Sequence, residues 1–142
     1  MREILFRGKC NEVGKYNGQW IEGFYGEDDG KPIIARSTDH GLIGYFCEPD
    51  SIGQYTGLTD KNGRKIFEGD IIHLEYSQVF FGGMYFGEYT AEVSYKEGCF
   101  ITDGTNNGDE IETPLSGFDN DEVEIIGNIH DNPELLGGES DG

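Results

Sequence analysis

The last 46 residues, 97–142, contain no lysine or arginine, although 13 aspartates and glutamates fall there. Residues 1–50 and 51–96 carry only −3 and −2 of the total net charge of −18. So one-sided a stretch repels nucleic-acid phosphates, which excludes ordinary DNA or RNA binding through it. It can instead attract a basic protein surface or a divalent cation, or act as a solvated face that keeps the chain soluble. Cysteine is scarce and odd in number. Cys10, Cys47 and Cys99 are far apart and form no C-x-x-C pair, so no zinc knuckle or thioredoxin-like site is indicated, and a reducing cytoplasm is the default compartment. No apolar run approaches the length of a membrane-spanning helix, and the charged opening MREILFRG does not read as a signal peptide. Gly-x-Ser-x-Gly and His-Glu-x-x-His are absent. His40, His73 and His130 have no partner at ligand or dyad spacing. No catalytic residue and no cofactor is indicated, and an enzymatic role is not the favoured reading.

Helical periodicity is also missing, because 23 glycines leave few windows of three uninterrupted helical turns. What the chain has is aromatics: nine Phe, eight Tyr and one Trp, enough to build a core where aliphatic residues are few. Apolar alternation or short apolar runs mark short strands in REILFRG, QWIEGFY, PIIAR, GLIGYFCEP, IIHLEY, TAEVSY, GCFITD and DEVEIIGNI. Turns fall at Tyr16-Asn17-Gly18, Asp28-Asp29-Gly30 and Lys96-Glu97-Gly98. The segment GLTDKNGRKIFEGD (57–70) lacks the Gly-Lys-Ser/Thr of a phosphate loop, and its Asp60-Lys61-Asn62-Gly63 predicts a type I′ hairpin with positive φ at Asn62 and Gly63. Asn132 as N-cap and Pro133 at N1 predict a single helical turn. The expected fold is mostly β, with short strands, tight turns, a small SH3-like or similar barrel in the second half, and at most one or two short helical turns. The expected organisation is an N-terminal β subdomain over 1–53, a C-terminal one over 54–136, and a disordered acidic tail over 137–142.

Three groups of residues are candidate sites. VFFGGMYFGEY (79–89) predicts a hairpin bending at Gly82-Gly83, with Phe80, Phe81, Tyr85, Phe86 and Tyr89 either at an oligomer contact or covered internally. Asp103, Asn107 and Asp109 fall in a stretch that copies the start of a calcium loop, but Pro114 stands where the closing Glu belongs. Asp119, Asp121, Glu122 and Glu124 form an acidic surface, split between two faces if the segment is a strand. Lys61, Arg64 and Lys65 at the DKNGRK turn sit beside Asp60, Glu68 and Asp70 and read as a balanced solvated turn, so direct nucleic-acid binding is not expected.

The blocks MREILFRGK, IGQYTGLTDKNGRKIFEGDII (52–72) and IIGNIHDNPELL (125–136) resemble, in order, the YopX-like proteins of bacteriophages and prophages of Gram-positive bacteria. The resemblance implies a mostly-β fold, existence inside an infected or lysogenic bacterium, and a tendency to self-associate. It implies no activity and brings no catalytic residues with it. The expectation is a non-enzymatic, homo-oligomeric phage accessory protein that meets a host or phage protein through an acidic surface, in one version imitating nucleic acid toward a basic partner. The alternative is an enzyme, or a small-ligand- or metal-binding protein, in phage nucleic-acid metabolism.

Overall fold

Among the described residues three hairpins turn on a residue–glycine pair in the left-handed region: Asp29-Gly30 (φ 54° and 77°), Phe81-Gly82 (45° and 83°) and Glu97-Gly98 (52° and 85°). Two consecutive positive φ values are the signature of the type I′ loop, whose twist matches that of the strands it joins. The computed structural model describes residues 4–106 and 109–136, so the expected 137–142 tail and Asn107 lie outside the described residues. Eleven strands follow: β1 (Phe6–Lys9), β2 (Trp20–Asp28), β3 (Lys31–Thr38), β4 (Gly41–Phe46), β5 (Gly53–Thr59), β6 (Lys65–Phe67), β7 (Asp70–Phe80), β8 (Gly83–Lys96), β9 (Cys99–Asn106), β10 (Asp109–Pro114) and β11 (Val123–Asn128). Among the described residues helix occurs only as four short 3-10 turns, the last at Pro133–Leu136. The protein is mostly β.

The chain divides into two compact units, Met1–Gly57 and Leu58–Gly142. In the first unit the strands run β4-β3-β2-β1-β5. Its core gathers Cys10, Ile21, Ile34, Tyr45 and Cys47, with Phe6, Tyr16, Ile43 and Ile52 packed against them. An isolated antiparallel bridge between Cys10 and Cys47 ties the residue after β1 to the residue after β4. β1 and β4 are not neighbours in the ladder, so this bridge brings β4 back to the end of β1.

The second unit holds an antiparallel sheet in the order β10-β9-β8-β7-β11. Its core comprises Ile66, Ile72, Leu74, Tyr89, Ala91, Val93, Leu115 and Val123. Each such buried Leu or Ile contributes about 1.5–3 kcal/mol of transfer free energy. Among the described residues the hydrogen-bonded order of this sheet is linear, from β10 to β11.

The DKNGRK turn differs from the expected type I′. Gly63 has φ 78° but Asn62 does not enter the left-handed region. The Gly63 N–H donates to Asp60 O at 3.0 Å and the Asp60 N–H to Arg64 O at 2.9 Å, the pattern of a type I turn followed by a left-handed glycine. The reason is the Asp60 side chain, which is fully buried and accepts the Asn62 and Arg64 N–H groups on Oδ1, both at 3.0 Å. Its Oδ2 accepts the Ile125 N–H of β11 at 3.0 Å. Lys61 N–H donates to Val123 O at 2.9 Å, and Lys61 Nζ lies 3.6 Å from Glu124 Oε1. Arg64 donates to Ile125 O. The central and closing sequence blocks therefore meet: the turn clamps β11, and Lys61 and Arg64 are engaged there.

At the chain's end Pro133 opens the last 3-10 turn, as the sequence predicts. Asn132 stands at its N-cap position, where its backbone carbonyl accepts the Leu135 N–H at 3.0 Å. Asn132 Oδ1 accepts the Asn128 N–H at 3.3 Å, while Asn128 Oδ1 accepts those of His130 and Asp131 at 3.0 and 2.8 Å.

Candidate functional site

The register of the β7–β8 hairpin decides what its two faces carry. Leu74 opposes Tyr89 and Ile72 opposes Ala91, all buried, so this face is the core side. The opposite face carries His73, Glu75 and Ser77 from β7 and Met84, Phe86, Glu88, Thr90 and Glu92 from β8. β11 pairs with β7 only as far as Leu74, and β8 pairs with β9 only from Ala91 onward. Among the described residues the hairpin beyond those points is a two-stranded arm. Near its tip Phe81, Met84 and Phe86 are 107, 59 and 78% exposed. Phe81 is a bulky residue at φ 45°, where only glycine, Asn and Asp are at ease.

Of the five aromatics expected at a contact, Phe81 and Phe86 are on the surface. Tyr89 is not available: it is 7% exposed, lies in the core cluster, and its hydroxyl is 3.2 Å from Thr102 Oγ1. Strand alternation turns it away from Phe86. The side chains of Phe80 and Tyr85 lie outside the described residues.

On the same face, below the apolar tip, Glu75 directly opposes Glu88. Two like charges in that relation repel. His73 Nε2 lies 3.9 Å from a carboxylate oxygen of each. The three donor atoms fall within 4.8 Å of one another, one nitrogen and two oxygens that a divalent transition metal could bind. This triad escapes sequence reading because it needs the exact turn. A bend at Gly82-Gly83 would set Glu75 against Thr90, whereas the actual bend at Phe81-Gly82 sets it against Glu88.

Acid continues across this face. Glu92 opposes Asp103, Asp103 opposes Glu112, and Glu124 opposes His73. Burial first, then the charges of Asp103 and Glu68, hold the Glu92 carboxyl above its usual range. Lys96 Nζ relieves the row at one end, 2.9 Å from Glu112 Oε2. Toward the other end of the strands Ile71 and Ile101 are buried on this face, and the Pro133–Leu136 turn packs on β8.

The predicted acidic group 119–124 is separated by the fold. Asp119 and Glu122 bond reciprocally in a capping box around the turn Asn120–Glu122, and Asp121 is exposed. Glu122 also lines a cleft of about 350 Å³ with Tyr76, Ser77, Tyr89, Thr113 and Phe118. Glu124 alone joins the outer sheet face. Of the calcium-loop candidates, Asp103 lies in extended β9 between Glu92 and Glu112, and β9 pairs with β10 up to Asn106–Asp109. Asn107 and the side chain of Asp109 lie outside the described residues.

These features define a two-unit antiparallel β protein whose second unit presents an acidic sheet face ending in an apolar hairpin tip. The chain belongs to the YopX family: the description "YopX protein" matches residues 5–137. It is similar in fold to a solved structure, "Crystal structure of protein EF1440 from Enterococcus faecalis", at 24% identity and a TM-score of 0.52, over 96% of this chain and 99% of that one. No curated protein matches it. Among the described residues no helix is long and apolar enough to cross a membrane.

Proposed function

We propose that the chain is a non-enzymatic phage or prophage accessory protein, resident in the cytoplasm of a bacterial host. It associates with further copies of itself through the β7–β8 hairpin and offers its acidic sheet face to a basic host or phage protein. One observation carries this reading: Phe81, Met84 and Phe86 are exposed together at the end of an arm whose strand edges are unpaired among the described residues. Exposed apolar clusters of this kind are contact surfaces, and open strand edges recruit further strands. Glu75, Glu88, Glu92, Asp103, Glu112 and Glu124 on the same face supply the charge for a basic partner.

Salt separates the two contacts. Copies bearing −18 each repel, so apolar self-association strengthens as salt screens that repulsion, whereas attachment to a basic partner weakens. Sedimentation velocity at about 0.05 and 0.5 M salt should show a multimer favoured at the higher value and reduced to monomer by Phe81→Ser with Phe86→Ser. A monomeric wild type at both salts refutes the self-association. Capture from host lysate on the immobilised chain should recover DNA-binding proteins that elute with salt if the face imitates nucleic acid. Recovery of none counts against that version.

A second reading, a metal- or small-ligand-binding protein, is favoured by the His73–Glu75–Glu88 triad. Titration with zinc or manganese, followed by thermal shift, tests it. A ligand at 100 times its dissociation constant adds about 2.7 kcal/mol, and Glu75→Gln should abolish the response. A flat titration removes this reading.

A further inference from the structure

We infer that Cys10 and Cys47 form a cross-strand disulfide when the chain meets a low-molecular-weight disulfide such as oxidised glutathione. The bridge that brings β4 back to the end of β1 has a defined geometry. The Asn11 N–H donates to Phe46 O at 3.0 Å and the Glu48 N–H to Lys9 O at 2.9 Å. Bonds on those flanking residues make Cys10 and Cys47 a directly opposed, non-hydrogen-bonded antiparallel pair, the relation in which Cα atoms generally sit about 4.5 Å apart. That separation falls inside the range that disulfides occupy, about 4.4–6.8 Å. Both residues are 2% exposed and belong to one core cluster, so their side chains leave the bridge on the same side. Both are free thiols in this structure, and Cys47 Sγ donates to Tyr45 O at 3.4 Å.

Approach and chemistry are both provided for. Cys47 lines an open cleft of about 400 Å³ with Asn11, Glu12, Lys31, Pro32 and Phe46. Burial foremost, with Cys10 adding to it, pushes the Cys47 thiol up to about 11, so the thiolate is rare and exchange is slow. Once formed, the Cys47 thiolate attacks one sulfur of glutathione disulfide, makes a mixed disulfide and expels a glutathione thiolate. Cys10 loses its proton to solvent and attacks the Cys47 sulfur, expelling the second glutathione. Two protein S–H bonds become one S–S bond, and the oxidant's S–S bond becomes two thiols. The product locks the return of the β4-β3-β2-β1 ladder covalently.

The test uses the full chain with Cys99→Ser, which removes the exposed third thiol. After long incubation with oxidised glutathione, the protein is denatured, alkylated, weighed and peptide-mapped. The expected result is a mass lower by about 2 Da, no alkylation at either remaining cysteine, and a Cys10–Cys47 cross-linked peptide that dithiothreitol abolishes. The apparent Tm of the oxidised form should rise by about 10 °C or more. In Cys10→Ser with Cys99→Ser, glutathione should accumulate on Cys47, because no resolving thiol is present. Alkylation of both cysteines after full incubation, or a stable glutathione adduct with Cys10 still present, overturns the inference. The mass measurement on Cys99→Ser decides the matter even where the Cys10 variant does not fold.

Discussion

Replacing Asp60 with Asn keeps the size of the side chain and removes its charge, which isolates what the carboxylate does at the DKNGRK turn. In the native chain it accepts three backbone N–H bonds, from Asn62 and Arg64 on one oxygen and from Ile125 on the other. The amide retains one acceptor. Turned to keep the two turn bonds, it faces the Ile125 N–H with its own NH₂, which loses a charge-assisted bond and leaves buried donors opposed, at a cost of about 2–3 kcal/mol. The two surviving bonds fall from charge-assisted to neutral, about 0.5 kcal/mol each. The total, about 3–4 kcal/mol, is a large part of the stability of a domain this size. Urea unfolding at neutral pH should therefore show a much lower midpoint with the slope unchanged.

A second signature is set by pH. Burial pushes the Asp60 carboxyl up, but the amides of Ile125, Arg64 and Asn62 and the Arg64 charge outweigh it and hold the group below its ordinary value. A depressed folded-state pKa gives stability that is present above the unfolded value and lost as pH falls through the folded one. The gap between wild type and Asp60→Asn should thus be full at neutral pH and narrow in the acid range below the ordinary Asp value. Equal urea midpoints at neutral pH would refute the clamp.

Three more outcomes follow from the same physics. Phe81→Asn relieves the left-handed tip and should stabilise the second unit by about 0.5–1 kcal/mol in thermal melts, while weakening self-association in sedimentation. At Gly23 a Cβ would collide with the Ala35 carbonyl of β3, whereas at Gly26 its nearest neighbour is Ile33 Cγ1 at an ordinary 3.5 Å. Gly23→Ala should cost about 2–4 kcal/mol in urea and Gly26→Ala less than about 1. Glu92 has its folded pKa raised, chiefly by burial, so its ionisation opposes folding above that value and the opposition fades as pH falls toward the unfolded pKa. Glu92→Gln should raise the neutral-pH midpoint by about 0.5 kcal/mol or less, because the group is partly solvated, with the advantage vanishing in acid. A lower midpoint for Glu92→Gln would contradict this.

Much of the fold was legible because its signals are local. Alternation located IIHLEY, TAEVSY and GCFITD, and Asp29-Gly30 and Glu97-Gly98 turn where glycine follows a polar residue. What misled was chemistry settled at long range. Asn62 stays out of the left-handed region because Asp60 organises the turn around a strand more than 60 positions away. Phe81 takes the position that glycine spacing assigned to Gly82, and the change of one residue in the bend re-pairs the hairpin by two, which hid the Glu75–Glu88 opposition. The acid crowd at 119–124 is contiguous in sequence but divided in space, by a capping box on one side and the Lys61 contact on the other. Among the described side chains, half of the acids on the sheet face (Glu75, Glu88 and Glu92) come from before residue 97. Composition counted charge, but strand parity decided where it gathers.

The clamp between the DKNGRK turn and β11 has a bearing on how freely such proteins diversify. Its contacts hold the second unit together without using the far half of β7–β8, whose tip meets no other strand among the described residues. Foreign residues can therefore replace that tip while the remainder still folds, so its sequence can drift under constraints that the clamp does not impose.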